Sequence, residues 1–225
     1  NSITASDNIK KSQGESISFN IFNTLTLNTL NSYIKPTKGY YLSFDNYIET
    51  PSSSFNGFIK NVITGKRYYE YSENIISIQS RLGNVISIND NEIISDEKFS
   101  LGGVSGIRAY PSGEASGDEG HKLSFEIQYD LSKPDADFDL IGTLFYDYGK
   151  IRQYKDSSNI TLTTPNEYSL SGWGVSFDLI ANERVKLNLG WAQAIGENDG
   201  QSSSGNNSDG RGGSSRAWFQ VVFRF

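Results

Sequence analysis

The sequence lacks cysteine and methionine altogether and has one histidine and five prolines in 225 residues. Without cysteine there is no disulfide framework, no thiolate nucleophile and no zinc-thiolate site, while reducing and oxidising compartments both stay open. A single imidazole, His121, excludes a multi-histidine metal site and leaves a Ser-His-Asp triad one candidate base. Basic residues are also short, 20 Lys and Arg against 26 Asp and Glu, for a net charge of -6 and a pI of about 4.9. Phosphate neutralisation needs clustered Lys and Arg, and no such cluster occurs, so no nucleic-acid partner is expected. No window holds 18 consecutive apolar residues, which excludes a transmembrane helix. The missing Met and the lack of a visible signal peptide predict a chain that is processed or is a piece of something larger.

What is present is a folded-protein composition, 36% hydrophobic and 13% aromatic, enough to bury a core in one domain. Its mean hydropathy of -0.47 is low. Transmembrane barrels tolerate that value, because only every second residue of each strand faces lipid. The informative signal is therefore the period. Leu123, Phe125, Ile127, Tyr129 and Leu131 share one face of an extended chain, and Ser124, Glu126, Gln128 and Asp130 share the other. The same two-residue alternation predicts nine strands, at 16–31, 39–50, 58–71, 75–88, 122–131, 138–151, 168–180, 185–195 and 217–225. Several exceed the usual five or six residues, as tilted membrane spans do.

Polar, turn-rich segments separate the strands at 50–56, 156–166 and 197–215. The last, rich in Gly, Ser, Asn and Asp, reads as a flexible extracellular loop. Tyr40, Tyr41, Tyr47, Tyr68, Tyr69, Tyr71, Tyr146, Tyr148, Trp173, Trp191 and Trp218 lie in or near strand segments, where a membrane interface favours amphipathic rings. Cross-strand packing in a soluble sheet would use such rings too. At the C-terminus Phe219, Val221, Phe223 and Phe225 fall on one face and the sequence ends on the aromatic. This resembles the assembly signal of bacterial outer-membrane barrels, an alternating last strand ending in Phe.

Between the fourth and fifth strands lies FSLGGVSGIRAYPSGEASGDEG, residues 99–120, with six Gly and one Pro around a single Arg. Such glycine density permits positive backbone dihedrals and close backbone approach, so the segment reads as a shaped loop. Its tip Ile107-Arg108-Ala109-Tyr110 and the later Gly117-Asp118-Glu119-Gly120 resemble the sixth extracellular loop of the two-partner secretion transporters, the TpsB or haemolysin secretion/activation family. These are relatives of the barrel-assembly proteins, and Ala109 stands where the family more often has Gly. Phe145-Tyr146-Asp147-Tyr148-Gly149 resembles the family's Phe-x-Asp-x-Gly strand motif. Alternation points Phe145, Asp147 and Gly149 inward and Tyr146 and Tyr148 outward.

The resemblance implies that the loop folds back into the barrel and that Arg108 pairs with Asp147 in the lumen. It implies an all-β antiparallel transmembrane meander spanning the whole of 1–225. Five strands follow the loop and four precede it, which corresponds to strands eight to sixteen of a sixteen-stranded outer-membrane barrel. A further strand near 3–10 would instead give a closed ten-stranded barrel. The implied function is export of a partner exoprotein, unfolded, through a polar lumen lined by Ser124, Glu126, Gln128, Asp147, Lys186 and Asn188. The expected partners are that exoprotein, outer-membrane lipid and the barrel-assembly machinery, with no cofactor, no metal and no enzymatic activity. A barrel-assembly insertase of the same superfamily is the alternative. A soluble β-sandwich adhesin or lectin binding calcium through the acidic stretch 89–96 is a third reading.

Overall fold

The computed structural model describes residues 19–223 except 52–56, 90–92, 94, 159, 161, 163, 182–183 and 202–203. The strands are β1 (Asn20–Asn28), β2 (Gly39–Glu49), β3 (Phe58–Tyr71), β4 (Asn74–Ser87), β5 (Phe99–Leu101), β6 (Ala115–Gly117), β7 (Glu119–Asp130), β8 (Phe138–Arg152), β9 (Glu167–Ala181), β10 (Val185–Ile195) and β11 (Ser215–Phe223). Nine form a single antiparallel sheet in the order β1-β2-β3-β4-β7-β8-β9-β10-β11, with β1 and β11 as its edges. This is a meander in one layer, not the two stacked layers of a sandwich. Among the described residues the helical structure is a single 3-10 turn at Ser95–Glu97.

Each of the nine strands corresponds to a segment of two-residue alternation. Strand β7 begins earlier than expected because Glu119, Gly120 and His121 pair with Asn84, Gly83 and Leu82 on one side and with Arg152, Ile151 and Lys150 on the other. The segment β5–β6 is a separate ribbon that alternation did not reveal, since strands of three residues are too short to show a period. The first residues of the strand expected at 16–31, the alternative strand near 3–10, and Phe225 of the C-terminal signal lie outside the described residues.

Parity sorts the side chains. Ile76, Ile127, Leu144, Val175 and Trp191 form one cross-strand row on the outer face, and Tyr129, Phe177, Leu189 and Phe219 are exposed in the next outer row, two residues along each strand. Phe219, Val221 and Phe223 of β11 share this face and are exposed. The inner face buries the polar Ser77, Lys122, Ser124, Thr143, Asp147 and Ser176 together with apolar side chains such as Phe58, Val85, Phe145 and Ile151. Apolar outside and polar inside is the reverse of a soluble fold and is the pattern of a membrane barrel. Neighbouring positions cannot both face lipid, so of the aromatic residues expected at an interface Tyr41, Tyr47, Tyr68 and Trp218 turn inward. Tyr40, Tyr69, Tyr71, Tyr146, Trp173 and Trp191 are exposed outside.

On the outer face of β1 to β4 an amide ladder runs across the strands. Asn23 Nδ2 donates to Asn46 Oδ1 at 3.3 Å, Asn46 Nδ2 to Asn61 Oδ1 at 2.9 Å, and Asn61 Nδ2 to Asn84 Oδ1 at 3.1 Å. Rows of Leu25, Phe44, Ile63 and Leu82 on one side and Ile21, Ile48, Ile59 and Ile86 on the other flank it.

The main apolar core is built by the long connection from β4 to β7 lying against the inner wall. Phe99, Leu101, Ile107, Ala109, Tyr110 and Ala115 come from that connection, and Phe145, Ile151, Tyr168, Leu170 and Ala192 from β8, β9 and β10. The inner wall receives it through a dent. Gly83 and Gly120 are cross-strand partners, and Phe99 lies over both so closely that a Cβ on Gly120 would stand 2.4 Å from its ring and one on Gly83 2.2 Å. Gly120→Val should therefore displace Phe99 and destabilise the docked loop by about 1–3 kcal/mol, the usual cost of overpacking. A lowered temperature for loss of the heat-modifiable folded band on a gel would report it, with the outward Ser80→Val as control.

Candidate functional site

The β4–β7 connection becomes a hairpin because its two limbs pair as β5 and β6, Phe99 opposite Gly117 and Leu101 opposite Ala115. Consecutive residues Gly102 and Gly103 take φ of 91° and 78°, a path that only glycine follows without strain. Gly103 N then donates to Tyr110 O at 2.9 Å and closes the tip. The tip residues Ile107, Ala109 and Tyr110 are all buried. Ala109 is accommodated because Gly172 lies opposite it on β9, where an added Cβ would be 2.6 Å from the Ala109 methyl.

Arg108 points from this tip to Asp147 on β8. Its Nε donates to Asp147 Oδ2 and its Nη2 to Oδ1, both at 2.8 Å, and its backbone N donates to Oδ2 at 3.1 Å. The fork is therefore bidentate, the geometry that guanidinium offers and ammonium does not. Nη1 forms a second ion pair with Glu126 Oε1 at 2.8 Å, and the guanidinium carbon lies 3.5 Å from the centroid of the Phe145 ring. Asp147 is 0% exposed, and Ser124 Oγ, opposite it in the β7–β8 register, donates to its Oδ1 at 2.7 Å. Lys122 Nζ donates to the tip carbonyl of Ser105 at 3.0 Å. Two cations and two carboxylates thus hold the tip against the wall with their charges balanced. Gly149 completes the strand motif by leaving space for Leu101, whose methyls lie 2.9 and 3.0 Å from where its Cβ would be.

Gly117 and Asp118 sit elsewhere, at the base of the loop. Asp118 Oδ1 pairs with Lys98 Nζ at 3.0 Å, and its Oδ2 accepts from Lys155 N at 2.9 Å. Lys98 also donates to Gln153 O at 2.9 Å and covers the Tyr154 ring at 3.8 Å. The Asp of this element ties the loop base to the β8–β9 connection and does not meet Arg108. Burial, and then the charge of Glu114, push the Tyr110 phenol above its ordinary pKa.

The structure brings Arg108 and Asp147 together and places Phe145 under the guanidinium. Sequence reasoning did not single out Glu126 as a partner of Arg108, nor Lys122, Lys98 or Glu114 as loop contacts. For Ser124 and Glu126 half of the signal was available, because parity turns both inward on β7, while the register that sets them opposite Asp147 and Phe145 came with the structure. Among the described residues no three acidic or histidine side chains converge as a metal site requires. The acidic stretch 89–96 falls partly outside those residues.

Comparison with known proteins agrees with this architecture. The heme/hemopexin transporter protein HuxB of Haemophilus influenzae (strain 86-028NP) is 31% identical over 109 residues, covering 48% of this chain and 19% of that protein. The outer membrane protein assembly factor BamA of Nitratidesulfovibrio vulgaris is 30% identical over 153 residues, 63% of this chain and 19% of its own length. The chain thus spans about a fifth of the curated relatives it matches. Among solved structures, BamA from Haemophilus ducreyi lacking POTRA domains 1-3 superimposes with a TM-score of 0.73 at 13% identity, over 96% of this chain and 46% of that one. CdiB from Acinetobacter baumannii gives 0.56 at 11% identity, over 92% and 34%. The Omp85 superfamily domain matches residues 1–213, and with its outward apolar strands and inward-docked loop this chain belongs to the Omp85 superfamily of outer-membrane β-barrel proteins.

Proposed function

We propose that this chain supplies strands eight to sixteen of an outer-membrane pore that exports one partner exoprotein by two-partner secretion. The observation that carries the reading is the hairpin loop held against a polar inner wall by Arg108, Asp147 and Glu126. A gate of this kind blocks the lumen at rest and leaves behind a wall of Ser124, Glu126, Gln128, Lys186 and Asn188 when it moves. An unfolded chain in transit meets hydrogen-bonding groups there, beside the apolar patch of Phe145, Ile151, Tyr168 and Leu170 that the docked loop covers at rest. Folding outside the cell makes the passage one-way. The rim that carries 99–120 and 197–215 faces the exterior in this reading. The outward face of Phe219, Val221 and Phe223 on β11 is the surface offered to the assembly machinery in this reading.

The sequence similarity to BamA of Nitratidesulfovibrio vulgaris favours a second reading, insertion of client barrels into the outer membrane. Removing the gene separates the two. Export predicts loss of one large secreted or surface-bound protein, with porin levels unchanged. A general fall of folded porins, with secretion otherwise intact, would overturn export in favour of insertion.

A further inference from the structure

Glu114 lies on the limb of the loop that returns from the tip, and it is 6% exposed. A carboxylate so buried requires donors. They come from the β10–β11 connection. Asn198 Nδ2 donates to its Oε1, and the backbone N of Ser208 donates to its Oε2 at 2.7 Å. Ser208 Oγ also reaches Ser112 O at 3.5 Å.

The two donors are held in place by a buried spacer. Asn207, 5% exposed, accepts from Asn198 Nδ2 at 3.3 Å and from Gln201 Nε2 at 3.0 Å, and donates to Gly213 O at 3.0 Å. Arg216 at the start of β11 forks onto both oxygens of Asp209 and closes the far side. The segment expected as a flexible loop therefore carries its own polar packing around one carboxylate.

We propose that Glu114 is the second anchor of the inward-docked loop, and that the β10–β11 connection is its clasp. Arg108 fixes the tip to β8, and Glu114 fixes the returning limb to the far edge of the sheet. Glu114 is a positioning residue: the loop leaves the lumen only after its carboxylate is released. The inference rests on reading the loop as the gate of an exporter, but its test does not.

Trypsin provides the test, applied to the intact protein in outer-membrane vesicles, because the Arg108 side chain is nearly buried while the loop is docked. Glu114→Ala should raise cleavage after Arg108 about tenfold or more, equivalent to about 1.4 kcal/mol in the opening equilibrium. Deleting 199–213 should do the same, and combining the two should add nothing beyond the larger single effect. Glu114→Gln, which keeps one acceptor, should fall between. Cleavage after Arg152 and Lys186 in the wall should not change, whereas a general folding defect would raise it as well. Wild-type protection of Arg108 in both variants, or additive effects, would overturn the clasp. If Glu114→Ala loses the heat-modifiable folded band, Asn198→Ala decides, since it removes one donor and leaves the carboxylate in place. Secretion measured alongside judges the exporter reading separately, because the trypsin rates require no cargo.

Discussion

If the chain serves the proposed export, alanine at Arg108 should release the loop and reduce that export more than any other single substitution in the lumen. Its removal leaves both Asp147 and Glu126 without their cation, one of them fully buried. Breaking a buried pair from one side typically costs about 3–5 kcal/mol, because the surviving charge stays desolvated. Asp147→Ala should come next. It strips three Arg108 donors and the Ser124 hydroxyl of their acceptor, yet the guanidinium keeps Glu126. Glu126→Ala should be mildest, since its carboxylate is partly open to the lumen. Arg108→Lys should recover little, as ammonium cannot fork across both oxygens or stack on Phe145. The double mutant Arg108→Ala with Asp147→Ala should be no worse than the worse single. A charge swap should also fail, because an arginine at 147 would face Lys122. Exoprotein in the medium, normalised to folded barrel at the surface, measures the series, and strictly additive losses would refute the coupling.

Leu189→Arg should destabilise the barrel by about 2–4 kcal/mol, the cost of a cation facing the bilayer midplane. Leu189 is 55% exposed, between Phe177 and Phe219 in the outer row. Gln128→Arg adds the same side chain on the lumen side, beside Glu126, and should cost less than about 1 kcal/mol, in the range of solvated ion pairs. Urea unfolding of the protein refolded into lipid vesicles compares them. Equal costs would mean that the outer face does not contact lipid.

The nine long strands were legible because each repeats its alternation over many residues, as β7 does from Leu123 to Tyr129. The tip and its carboxylate were legible for a different reason: short motifs place Arg108 and Asp147 by resemblance, and parity then turns Asp147 inward. What stayed hidden depends on approach in space. Glu114 meets Asn198 and Ser208 across 84 and 94 positions, in segments with no period. Lys98 and Asp118 meet only because β5 and β6 close the hairpin between them. The dent formed by Gly83 and Gly120 required the β4–β7 register, which neither strand carries alone.

Alternation defines a strand's position against its neighbour only to within two residues, since sliding by two returns every side chain to its own face. The asparagine ladder removes that ambiguity. A slip of two between β2 and β3 would set Asn46 against Ile59 or Ile63 and leave amides facing hydrocarbon without partners, whereas the native alignment joins four of them in one chain. The four amides act as a combination lock for β1 to β4: each strand can add to the growing wall in the several alignments its apolar pattern permits, but one alone closes the chain of hydrogen bonds.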